Sequence, residues 1–190
     1  MKNIMLMAAI ILGCLGTSEI KAQDNDGKTG NPNFSKMDVS PMDVALFRNQ
    51  EEEAVARVLY SRPQRRDREV FGKLVPFGEV WRTGANEATE LTLYKDMMVG
   101  NETIKAGTYT LYTIPEENEW TVILNKSTNV WGAYDYHVEQ DMARIKVPVR
   151  RAQTSIESLS MAFEPSEEGA KLLIGWDDRY VEVPFKDPGM

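Results

Sequence analysis

"AGTYTLYTIP", residues 106–115, decides the fold. Tyr109, Leu111 and Thr113 fall on one side of an extended chain, and Thr110, Tyr112 and Ile114 fall on the other. That is a period of two rather than 3.6, and it reads as a strand. The same reading extends to residues 56–60, 69–74, 79–81, 90–94, 120–124, 143–149, 155–163, 171–176 and 180–185. Turn residues punctuate these runs: "PFG" at 76–78, "VGNE" around Gly100, "PSEEG" at 165–169 and "DDR" at 177–179. Many short strands with regular breaks imply an all-β chain, an antiparallel β-sandwich of jelly-roll-like character.

Two short helices are also expected, at "DVALFRNQEEEA" (43–54) and at "NVWGAYDY" (129–136), the second of which also reads as a turn. The clearest hairpin is the last. Leu172, Ile174 and Trp176 alternate against Val181, Val183 and Phe185 across a tight Asp177-Asp178-Arg179 turn, which marks those six residues as core. Trp120, Val122 and Leu124 alternate in the same way.

The length of 190 residues suits one domain with attachments. Lys2 precedes a continuous apolar run from Ile4 to Leu12, followed by a polar stretch. This layout is that of an export signal over residues 1–22, too short to span a membrane as a helix. It directs the protein to the periplasm or beyond. Cleavage after Ala22 would free the chain. The alternative takes "ILGC", 11–14, as a lipoprotein box, in which acylated Cys14 is the sole membrane attachment, on the outer membrane for instance.

Residues 23–40 are polar and poor in aliphatics, a tether ahead of a single domain at 41–190. Within it, "DNDG" (24–27) is similar to the opening of a calcium loop but lacks the later bidentate Glu, so it reads as linker. Cys14 is the only cysteine, which excludes disulfides and thiol catalysis from the folded domain. Cleavage after Ala22 removes Lys2, Lys21 and Glu19, leaving 20 basic and 28 acidic residues. A net charge of −8 disfavours nucleic acid or an anionic membrane surface as partner.

His137 is the single histidine, so His-rich zinc sites are excluded. Phosphate loops and nucleophile elbows are missing too, and neither metal nor cofactor is expected. "RPQRRDRE", 62–69, is a basic patch that could meet an anion, although Asp67 and Glu69 interrupt it and favour a charged loop.

The remaining candidate is "VWRTGANEATELTL", 80–93. Arg82 offers a planar fork of donors, Asn86 a donor and an acceptor, and Trp81 a face on which a sugar or guanidinium stacks. The structural alternative has Trp81 facing inward, Arg82 paired with Glu87, Gly84 at a positive φ and Asn86 closing an Asx turn.

The blocks "YSRPQRRDREVFGKLVPFGEVWRTGANEATELTL", "AGTYTLYTIP", "EWTVILNK" and "WGAY" resemble a family of exported bacterial proteins, domain-of-unknown-function family 2911, frequent in the Bacteroidetes. The resemblance runs from about residue 60 to 176. It implies an all-β exported domain with no established activity, and a signature that includes Tyr60, Arg62, Trp81, Arg82, Asn86, Glu87, Trp131 and Tyr134. The acid-rich "NQEEEA" before the first strong strand departs from the family pattern, so N-terminal docking is expected to differ.

Two functions follow as expectations. One is a cell-envelope module in which Tyr60, Arg62, Arg82, Asn86, Glu87, Trp131 and Tyr134 hold a polar small molecule or glycan, carbohydrate-type or anionic. The other is a hydrolase with Glu87 as acid or base and Arg82 steadying negative charge. A buried Arg82–Glu87 pair that only shapes the fold is the third reading.

Overall fold

The computed structural model describes residues 32–189. By its contacts the chain divides into Met1–Lys36 and Met37–Met190. Only residues 32–36 of the first unit are described, and the fold below is that of the second. The expected export signal, Cys14 and residues 24–27 lie outside the described residues. Among the described residues no helix is long and apolar enough to cross a membrane.

Strands β1 (Met42–Arg48), β2 (Ala54–Ser61), β3 (Glu90–Leu93), β6 (Gly107–Pro115), β7 (Glu119–Asn125) and β8 (Asp141–Pro148) form one antiparallel sheet, ordered β1-β2-β3-β6-β7-β8. Strands β4 (Met97–Val99), β5 (Glu102–Ile104), β9 (Arg150–Ser166) and β10 (Gly169–Lys186) form the second, ordered β5-β4-β10-β9. The two faces meet in one core. Val58, Leu91, Leu111, Trp120, Val122 and Leu124 come from the first sheet, and Leu159, Leu172, Ile174, Trp176, Val181, Val183 and Phe185 from the second. The all-β sandwich read from the period of two is the fold.

The position of β6 explains why both of its faces are apolar. Its inward side joins the main core, while Tyr112 on its outer side packs with Ile123 and Ala88 under Val80, Val130, Ala133 and Tyr136. Two loops therefore cover the outer face of the larger sheet.

The expected terminal hairpin is present within β10. Its 18 residues would span about 60 Å if straight. Instead, Asp187 N–H donates to the Glu168 carbonyl at 2.7 Å, Lys171 pairs with Glu182 at 3.3 Å, and a Cβ added at Gly175 would lie 3.2 Å from Tyr180 Cβ. The strand doubles back at Asp177, whose φ of 55° supplies the turn. All six residues expected in the core of this hairpin are buried.

Other expectations are corrected. Residues 43–54 form no helix: β1 pairs with β2, and Asn49 closes the acid-rich turn by accepting from Glu53 N–H at 2.8 Å. Helix propensity in the glutamates is a few tenths of a kcal/mol each and yields to a ladder of backbone bonds. Residues 129–136 take the turn reading rather than the helical one, with Gly132 at φ 71°, and Trp131 bridges to Glu87 in the loop before β3. The one helical turn among the described residues is Val138–Gln140. Residues 69–74 and 79–81 are not strands but make isolated bridges, Phe71–Val75 and Trp81–Thr113. Val70, Phe71 and Val75 are nevertheless buried, because they plug the core. Around the expected turn at Gly100, φ 64°, the structure adds the short strands β4 and β5, and it adds β1 as well.

Candidate functional site

The "VWRTGANE" loop leaves the core at Trp81. Its backbone pairs with Thr113 in both directions, at 2.7 and 3.0 Å, and its indole stacks on Trp176 with centroids 5.9 Å apart and planes 19° from parallel. Trp81 Nε1–H donates to the Gly84 carbonyl at 3.2 Å, which curls the loop beneath the ring. Gly84 does not sit at positive φ. It is small because an added Cβ would lie 3.2 Å from Thr89 Oγ1 and 3.3 Å from the Ser61 carbonyl oxygen. The left-handed positions are Thr83 (φ 56°) and Asn86 (φ 57°) instead.

A β-branched residue at such a φ is strained by about 1 to 3 kcal/mol and persists only where its surroundings hold it. Thr83 is so held. It is fully buried, its hydroxyl bonds the Trp81 carbonyl and Thr113 Oγ1, and its carbonyl accepts from Thr89 Oγ1 at 2.8 Å. Arg82 is thus fixed between two restrained neighbours.

The basic patch arrives from the other side. Arg65 and Arg66 donate their backbone N–H groups to Glu157, Gln64 bridges to Ser158, and Arg65 pairs with Asp177 at 2.9 Å. Arg66 and Asp67 both adopt positive φ, 50° and 58°. That tight turn carries Arg66 and Arg68 to the cavity next to Arg82. The cavity has a volume of about 320 Å³, with Arg66, Arg68 and Arg82 in its lining, Trp81 and Trp176 as its aromatic wall, and Leu74 and Val75 beside them.

The seven residues singled out from sequence do not converge. Arg82 lines this cavity, while Tyr60 and Arg62 fasten the two sheets together. Tyr60 Oη accepts from Met161 N–H at 2.9 Å and donates to its carbonyl at 3.4 Å. Arg62 donates to the Leu159 carbonyl, Asp43 and Ser160 at 2.9 to 3.0 Å. Asn86 turns its amide to Asp38 at 3.1 Å and closes no Asx turn. Glu87 is exposed and lines a separate hollow of about 130 Å³ with Tyr60 and Glu90.

Trp131 and Tyr134, 61% and 81% exposed, sit on the turn covering the outer face. That cover is anchored by Asp141, which accepts from Asn125, Tyr136 and Arg144. Burial, with Asp141 alongside, pushes the Tyr136 hydroxyl up to about 12. Arg82 and Glu87 form no ion pair, and the Arg82 Nε is buried without a hydrogen-bond partner among the described residues. The buried-pair reading loses its geometry, and Arg82 and Glu87 line separate hollows. Arg66, Arg68 and Trp176 were not grouped with Arg82 from sequence. The basic patch carried the only signal for the two arginines.

Tyr60→Phe is expected to lower stability by about 1 to 3 kcal/mol, because it strands both backbone groups of buried Met161. Burial holds the Tyr60 pKa above its ordinary 10.0. The associated stability is therefore present below the unfolded value and lost as pH rises through the folded one. Urea titration of wild type and Tyr60→Phe at neutral and high pH checks both statements, and equal midpoints at neutral pH would refute the first.

The fold and this cavity define the class: an all-β sandwich domain with a cationic, tryptophan-walled pocket. A family model described as "Protein of unknown function (DUF2911)" matches residues 40–185, and the chain belongs to that family. No curated protein and no solved structure matches it.

Proposed function

We propose that the domain is a ligand-binding module that holds a polar small molecule in the cavity lined by Trp81, Arg82, Gly84 and Ala85. On the export-signal reading of residues 1–22 it does so in the cell envelope, either free or held by a lipid on Cys14. The observation that carries the proposal is Arg82. A guanidinium at a cavity wall, with Nε buried and unpartnered, forgoes bonds that an internal carboxylate would normally supply. Its neighbours are strained into position at Thr83 and Arg66, and such strain gathers at ligand clamps.

Trp81 supplies the readout, since a ligand in the cavity changes the surroundings of its indole. Titrating a panel of polar metabolites and oligosaccharides against the purified chain is expected to give at least one saturable change in tryptophan emission. A matching rise in melting temperature should accompany it. Arg82→Gln should abolish both while itself melting within about 1 kcal/mol of wild type, because no ion pair is lost. A response that survives Arg82→Gln, or a panel with no response, would overturn the proposal.

A further inference from the structure

We infer that the cavity selects an oxyanion, a carboxylate or phosphate borne on a small ring or other apolar body, and rejects neutral sugars; this rests on the ligand-binding reading above. The argument is a count of donors against acceptors. The side chains of Arg66, Arg68 and Arg82 bring only donors, and no Asp or Glu belongs to the lining. None of the three arginines takes part in an ion pair among the described residues, whereas Arg62, Arg65, Arg144, Arg150, Arg151 and Arg179 all do.

Three of the acceptors nearby are already engaged. Gln64 Oε1 takes Arg66 Nε at 3.3 Å, the Gln64 carbonyl takes Arg68 Nη2 at 2.6 Å, and the Gly84 carbonyl takes the Trp81 indole. A neutral sugar brings hydroxyl donors that need acceptors and would find few here. An oxyanion brings acceptors alone and matches the surplus of guanidinium N–H groups, which favour planar, bidentate oxygen pairs.

The remainder of the ligand meets apolar surface. Trp176 Nε1–H is spent on the Glu157 carbonyl at 3.2 Å and Trp81 Nε1–H on that of Gly84, so neither indole offers a free donor to the cavity, where they stand next to Leu74 and Val75. A volume of about 320 Å³ is at the small end for ligand pockets and suits a single ring with its anionic group. In a chain of net charge −7, three unpaired guanidinium groups around one cavity concentrate positive potential where the rest of the surface repels anions.

The test compares glucuronate, glucose 6-phosphate and glucose, which share a ring and differ in charge, by calorimetric titration of the purified chain at low and high salt. One or both anions are expected to bind saturably and glucose at least about tenfold more weakly, since one charge-assisted hydrogen bond is worth that factor. The preferred anion distinguishes a carboxylate from a phosphate ligand, and either supports the inference. Affinity should fall with salt, and that for glucuronate should hold between pH 6 and 9, because neither its carboxylate nor a guanidinium titrates there. Arg66→Gln and Arg68→Gln should each weaken the anion about tenfold and Arg82→Gln should abolish its binding. Arg68→Gln, which gives up the bonds to the Arg65 and Gln64 carbonyls, should also lower the melting temperature, and the other two should not.

Glucose binding as tightly as the anions would overturn the oxyanion inference and leave the binding module standing. Anion binding that is unchanged in all three variants would overturn it as well, by placing the anion elsewhere. No binding by any of the three compounds, together with a silent metabolite panel, would overturn both.

Discussion

Trp176→Ala is expected to cost about 3 to 5 kcal/mol of stability and to eliminate ligand uptake in the same stroke. Trp176 is 1% exposed, stacks against Trp81 and forms the back wall of the cavity. Trp81 in turn meets Phe71 and Trp120 edge-on at 6.2 and 6.3 Å. The site wall is therefore the edge of the core, and removing its largest element leaves Trp81 unsupported and Arg82, its neighbour in sequence, free to shift. A domain of this size has about 5 to 15 kcal/mol in total, so the loss is a large share.

Trp176→Phe separates the two effects. It keeps most of the apolar volume and gives up only the hydrogen bond to the Glu157 carbonyl, at about 1 to 3 kcal/mol. Urea denaturation with parallel binding titrations measures both variants. If Trp176→Ala unfolds within about 1 kcal/mol of wild type, the two-tryptophan wall is not the rigid support described here.

The fold was legible wherever one face of a strand is buried and the other is not. Leu172, Ile174 and Trp176 and their partners across the turn follow that pattern, and so does Trp120 to Leu124. Legibility failed where short segments meet the core end-on. Val70 and Phe71 are buried through a turn and one isolated bridge to Val75, so their apolar character imitates a strand. It failed again at β1, where exposed Val44 and Leu46 alternate with half-buried Ala45 and Phe47 beside a glutamate run of helical composition. A local propensity was weighed there without the strand partner that overrides it.

At the candidate site, sequence located both contributing segments but not their meeting. Arg66 and Arg68 lie about fifteen positions from Arg82, and what joins them is the pair of backbone bonds from Arg65 and Arg66 to Glu157 that holds the basic turn against β9. No spacing rule encodes that contact. Conversely, Tyr60 and Arg62 stood out because aromatic and guanidinium groups serve ligands and seams between sheets alike. Only their partners, Met161, Leu159 and Asp43, reveal the seam.

Gly169→Ala is expected to destabilise the domain by about 3 kcal/mol or more, combining backbone strain with overpacking. Gly169 has φ 145°, a region open essentially to glycine alone, and an added Cβ would overlap the Phe185 carbonyl oxygen and lie 3.2 Å from Lys186 Cα. Both neighbours are backbone in the returning arm of β10, so neither can swing aside. Gly78 provides the control. Its φ is 75°, but an added Cβ meets nothing closer than Glu116 Oε1 at 3.4 Å, so Gly78→Ala should cost about 1 kcal/mol, the backbone penalty alone. The difference in urea midpoint between the two variants isolates the clash between the arms. A Gly169→Ala variant no less stable than Gly78→Ala would mean that the arms do not press together, and the doubling-back that brings Leu172, Ile174 and Trp176 against Val181, Val183 and Phe185 would fall with it.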